Sequence, residues 1–171
     1  RSGIGVLNMT GGSITKTGPN NVTISTGTGG TGTINQSGGV FTNTTSATFL
    51  GESWNGDGNG TWNLTGGDAV LGELVLGNGG ACQGTFNLDG GTLWASKIRD
   101  NTTGATNFNF NGGTLKARAS DTAFMAGLTA ATVKGGGAIV DTNGFSITIG
   151  QALLDGGTGG GASDAGGASD A

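Results

Sequence analysis

The sequence predicts an all-β fold, a parallel β-solenoid of the right-handed, three-sided β-helix kind with about six coils. Three observations carry that expectation. A ten-residue pattern recurs as GVLNMTGGSI from Gly5, GTINQSGGVF from Gly32, GTWNLTGGDA from Gly60 and GTFNLDGGTL from Gly84, with its core again in TNFNFNGGTLK from Thr106. Asparagine stands three residues before the Gly-Gly pair in every copy, at Asn8, Asn35, Asn63, Asn87 and Asn109. Around it, apolar and polar residues alternate with the period of two expected of a strand that buries one face.

The elements follow in order from the Gly-Gly pairs at Gly11-Gly12, Gly38-Gly39, Gly66-Gly67, Gly90-Gly91, Gly112-Gly113 and, more loosely, Gly135-Gly136. The first strand of each coil points inward at Leu7, Ile34, Trp62, Phe86, Phe108 and Ala131, and two residues later at Met9, Gln36, Leu64, Leu88, Phe110 and Val133. Gln36 is the one polar residue among them. The glycine pair then turns the chain, because glycine reaches positive φ without steric cost. A second strand is expected to bury Ile14, Phe41, Ala69, Leu93, Leu115 and Ala138. A third reads as VTIST (22–26), ATFLG (47–51), ELVLG (73–77), SKIRD (96–100), TAFMA (122–126) and SITIG (146–150). A coil of about 22 residues has a perimeter of roughly 70 Å, room for three short strands and three corners. Residues 1–157 form the solenoid in this reading. Residues 158–171, with GGASDA written twice, form a tail too poor in apolar side chains for a core of its own, expected to be ordered by a neighbouring subunit.

The same geometry accounts for the composition. Each residue lies above its own copy, so a charge would face a like charge one strand spacing away, which is destabilising. Asparagine and threonine can hydrogen-bond to their own kind along a stack. Charged residues make up 11% of the chain, and Asn8, Asn35, Asn63, Asn87 and Asn109 are expected to form a ladder. Collagen is excluded: 40 glycines follow no Gly-X-Y period, and there is a single proline. A net charge of −4 with no basic patch argues against nucleic acid as a partner. Histidine is absent, which removes the commonest general base, and the lone Cys82 can form no intrachain disulfide. No apolar run approaches the roughly 20 residues of a membrane-spanning helix.

The repeats GTWNLTGG and GTFNLDGGTL, followed by GGGAIVDTNGFSITIGQALL (135–154), resemble the autotransporter-associated β-strand repeats of very large bacterial surface and secreted proteins. The resemblance covers roughly residues 5–157 and is most specific in its last segment. It implies a long β-helix displayed outside a bacterial cell.

Candidate sites each have a plain alternative. Asn55, Asp57 and Asn59 match the first half of a calcium loop, with oxygen ligands at alternating positions, and Glu52 lies just upstream. The bidentate glutamate is missing, since Gly66 holds the twelfth position, and a solvated corner loop is the competing reading. No other cofactor is expected. Carbohydrate chemistry on a β-helix needs two carboxyls about 5 to 9.5 Å apart, whereas Asp68, Glu73, Asp89, Asp100, Asp121 and Asp141 are scattered over different corners. Lys97, Arg99, Lys116 and Arg118 near Asp100 read as a salt-bridged surface. Trp62 falls in an inward register, while Trp94, next to inward Leu93, should point out and is the candidate for stacking on a glycan. The expected function is therefore a non-enzymatic, extracellular structural or adhesive module of a bacterial surface, joined end to end into a homo-oligomeric fibre. The alternative is a carbohydrate-binding or pectate-lyase-like β-helix that meets polysaccharide or the cell surface.

Overall fold

The computed structural model describes residues 3–54 and 56–157. The described chain is all β, without a helix, and winds as a parallel β-solenoid of about six turns. Coil one carries β1 (Ile4–Thr15) and β2 (Val22–Thr23), and coil two is the long strand β3 (Thr31–Phe49). Coil three carries β4 (Asn59–Leu64) and β5 (Asp68–Asn78); coil four carries β6 (Gln83–Leu88), β7 (Thr92–Ala95) and β8 (Lys97–Asn101). Coil five has β9 (Thr106–Phe110), β10 (Thr114–Ala117) and β11 (Asp121–Ala126), and coil six has β12 (Ala130–Val133), β13 (Ile139–Asp141) and β14 (Ile147–Ile149). β15 (Leu153–Asp155) then opens a seventh rung by pairing with β12.

Three parallel stacks result. The first face runs from the start of β1 through the start of β3, then β4, β6, β9, β12 and β15. The second joins the end of β1, the middle of β3, the start of β5, then β7, β10 and β13. The third joins β2, the ends of β3 and β5, then β8, β11 and β14. From β3 to β9 the first-face strands meet their copies in register, as in Asn35 on Asn63 and Phe86 on Phe108.

The core is a narrow column along the axis. Trp62, Phe86 and Phe108 are fully buried and stack coil on coil, with ring centroids 5.7 Å and then 5.3 Å apart. Phe41 meets Trp62 edge-on at 5.0 Å. Such aromatic contacts add to the burial of area itself. Leu64, Leu88 and Phe110 fill the parallel column beside them.

One register differs from expectation. Val140, not Ala138, stands over Leu115 in the second face. The turn of coil six is lengthened by Gly135-Gly136-Gly137, with the Gly137 N–H donating to Lys134 O at 2.8 Å, so the strand begins two residues later. The seventh rung carries no signal in the sequence: Leu153-Leu154-Asp155 has no asparagine and no alternation to mark it. The expected tail, 158–171, lies outside the described residues.

Candidate functional site

The outward positions of the first face form a continuous amide ladder. Asn35 Nδ2 donates to Asn8 Oδ1 at 2.9 Å, Asn63 to Asn35 at 2.8 Å, Asn87 to Asn63 at 2.7 Å and Asn109 to Asn87 at 2.7 Å. The polarity is uniform: each amide donates toward the coil before it and accepts from the coil after it. The strand spacing of about 4.8 Å sets this repeat, which an amide side chain bridges without strain. The ladder gives way to Thr132 and then Leu154 in the same register.

A second polar ladder runs where the third strand ends. Asn101 Nδ2 donates to Asn78 Oδ1 at 2.9 Å, Asn78 Nδ2 to Glu52 Oε1 at 3.3 Å, and Thr23 Oγ1 to Glu52 Oε2 at 2.7 Å. Sequence reasoning missed it, although Glu52, Asn78 and Asn101 each directly follow a third-strand block. A third, shorter link joins Asn111 Nδ2 to Asp89 Oδ1 at 2.8 Å.

Among the described residues, charges in the stacked faces lie against opposite charges. In the third face Glu73, Lys97 and Asp121 alternate in sign from coil to coil, with Lys97 Nζ 3.3 Å from Asp121 and Arg99 Nε 2.6 Å from Glu73. In the second face Lys116 Nζ lies 2.7 Å from Asp141 and 4.7 Å from the centroid of the Trp94 ring. Arg118 Nη1 donates to Leu71 O at 2.9 Å. Two carboxyls are held below the ordinary range. Asp121 is lowered first by the Ala123 N–H and then by Lys97, against some desolvation; Asp141 is lowered first by Lys116 and then by the Asn143 N–H. The cations expected as salt-bridged surface thus serve as ties between coils.

The remaining candidates resolve individually. Trp94 is half-buried and points outward between Val70 and Lys116, so one neighbour already lies against its ring. Trp62 lies in the core, and its Nε1 has no hydrogen-bond partner; nor has Gln36 Oε1, in the same stretch of core. Trp54 is 81% exposed. Of the calcium-loop residues, Asn55 lies outside the described residues. Asp57 Oδ1 accepts the Ala81 N–H at 2.9 Å and braces the turn of the next coil. Asn59 opens β4, paired with Thr31 and Gln83. Glu52 and Asp57 therefore direct oxygens at protein donors, and among the described residues no three His, Cys, Asp or Glu side chains gather around one point. Cys82 is buried with its Sγ 3.8 Å from Asn78 O. Asp100 Oδ2 accepts from Thr106 Oγ1 at 3.0 Å.

Chemically, this arrangement joins coils. Compared with protein-family models, curated proteins and solved structures, the chain matches none.

Proposed function

We propose that this chain is a structural module of a bacterial surface or secreted fibre, a stiff length of solenoid whose working property is its extension rather than a pocket. The observation that carries the reading is the direction of its polar groups. On all three faces they point to the coil above or below, through the ladder from Asn8 to Asn109 and the pairs Lys97–Asp121, Arg99–Glu73 and Lys116–Asp141. A site for a small substrate needs convergent polar groups held in a concavity, and groups engaged along the rod do not supply them. The likeness of its repeats to autotransporter-associated repeats supports an extracellular setting. Apolar side chains exposed at the two edges, Val6 and Leu7 at one and Leu153 and Leu154 at the other, support contact with further solenoid coils at each edge.

The test is incubation of the purified protein with a panel of plant and bacterial polysaccharides, alongside electron micrographs. Rods without product release are expected; release of oligosaccharides would overturn the reading in favour of a carbohydrate-active β-helix. The exposure of Trp54 favours a second, compatible reading, in which the rod adheres weakly to glycans. Loss of polysaccharide retention in Trp54→Ala, with Trp94→Ala unchanged, is the outcome expected of it.

A further inference from the structure

We propose that the outer edge of β1 is built to receive one more coil of this same repeat, stacked in parallel ahead of it and carrying asparagine at the ladder position. Two glycine columns carry the argument. Gly32, Gly60 and Gly84 stand in one register, and a Cβ at each would overlap the carbonyl oxygen of Ile24, Leu50 and Leu76, where the third strand of the preceding coil ends. Gly38, Gly66 and Gly90 lie in the same way against the carbonyls of Thr10, Ser37 and Thr65, the turn of the preceding coil. In coils two to four, glycine in both columns has a steric cause, and the cause is the coil ahead.

Gly5 and Gly11 are the β1 members of these columns: Gly5 pairs with Gly32, and Gly11 opens the same turn as Gly38. Neither has positive φ, and a Cβ on either would meet nothing within 4 Å. Glycine within a strand is destabilising relative to alanine unless something needs the space. The two positions are therefore slots of the shape that a preceding coil fills in coils two to four; in coil five Thr106 takes the first of these registers.

The polar chemistry of the edge agrees. Each ladder amide donates to the coil before it, and Asn8 receives from Asn35. Among the described residues, Asn8 Nδ2 has no acceptor. Leu7 continues the inward column of Trp62 and Phe86 yet is 38% exposed, beside a groove of about 300 Å³ lined by Leu7, Ile24 and Ile34. A coil laid across β1 would cover Leu7, close the groove and present an Oδ1 to Asn8.

The opposite edge of a second copy fits poorly. β15 places Leu154 in the ladder register, so stacking it on β1 would set aliphatic carbon against the Asn8 donor. The partner is a coil with asparagine there, and this deepens the rod reading, on which it rests for the partner's kind.

The probe is a synthetic peptide of residues 83–104, which carries Gly84, Asn87 and the Gly90-Gly91 turn, titrated against the full chain while sedimentation follows self-association. Saturable binding is expected, weakened about tenfold or more by Gly5→Val or Gly11→Val in the protein, or by Asn87→Leu in the peptide. Both protein variants should fold as the parent does, because their Cβ atoms meet open space; the peptide variant gives the same information if they do not. No binding, or binding indifferent to all three changes, would overturn the proposal. So would end-to-end oligomers of the chain that Gly5→Val disperses, since a second copy would then be the occupant. Polysaccharide turnover would sink the rod reading and leave the peptide result standing, so the two failures are distinguishable.

Discussion

At the scale of single residues, the inward and outward registers of one strand carry different penalties. Leu88 is fully buried between Leu64 and Phe110. Leu88→Asn places an unsatisfied amide in that column and should cost about 2–4 kcal/mol. Thr85 lies in the same strand but faces outward, and Thr85→Ala should cost under about 1 kcal/mol. Equal shifts in denaturant midpoint for the two would contradict the burial. Asn143 offers a backbone test instead. It is the one non-glycine residue at positive φ among the described residues (52°), followed by Gly144 at 79°, in a turn closed by the Phe145 N–H on Thr142 O. Asparagine tolerates this left-handed conformation and a β-branched residue does not. Asn143→Gly loses the Nδ2 donation to Ala117 O and should cost under about 1 kcal/mol, and Asn143→Val should cost about 1–2 kcal/mol more in the same melts.

At the scale of the element, the ladder is a single device made of five copies. Asn87→Asp removes the donor to Asn63 Oδ1 while keeping an acceptor for Asn109 Nδ2. Alone it should be mildly destabilising at pH 7 and better tolerated near pH 3, where a protonated carboxyl donates again. Asn63, Asn87 and Asn109 changed together to Asp set three carboxylates one strand spacing apart. The triple variant should melt below the sum of its singles at pH 7, with the excess shrinking in acid. Strict additivity at both pH values would mean that the side chains do not interact. This element was legible because identical neighbours force the same answer at each level: alternation, the asparagine register and the glycine turn all coincide from Asn8 to Asn109. Legibility faded where copies diverge. The extra glycine of Gly135-Gly136-Gly137 moved Val140 into the place expected of Ala138, and Leu154 carries no trace of the asparagine that its register holds elsewhere. The ties between coils were hidden for another reason. Glu73, Lys97 and Asp121 are not copies of one another, and only the stacked register shows that they alternate in sign.

At the scale of the whole molecule, stability should vary along the rod, because coils contact chiefly their neighbours, with Arg118 reaching one coil further to Leu71 O, and the stack behaves as a row of coupled units. Coils three to five hold the fully buried aromatic column, whereas β13, β14 and β15 are three residues each, with Ile139, Phe145, Leu153 and Leu154 exposed. Amide protection should therefore peak in β4, β6 and β9 and decline toward both edges. Acid should deepen the decline on one side only. Asp121 ties coil five to Lys97 of coil four, and Asp141 ties coil six to Lys116 of coil five. Both carboxyls have pKa values below the ordinary aspartate value of about 3.9. A lowered folded-state pKa means that the stabilisation is complete above the unfolded value and is lost as pH falls through the folded one. Between neutral pH and about pH 4 the protection pattern should hold. Below that, β11, β13 and β14 should lose protection before β4 and β6, after correction for intrinsic exchange. The Asp141→Asn variant should show the weakened coil six already at pH 7, with little further change in acid there. Uniform loss along the rod, or earliest loss in β1 and β2, would mean that the ion pairs do not hold the later coils in place.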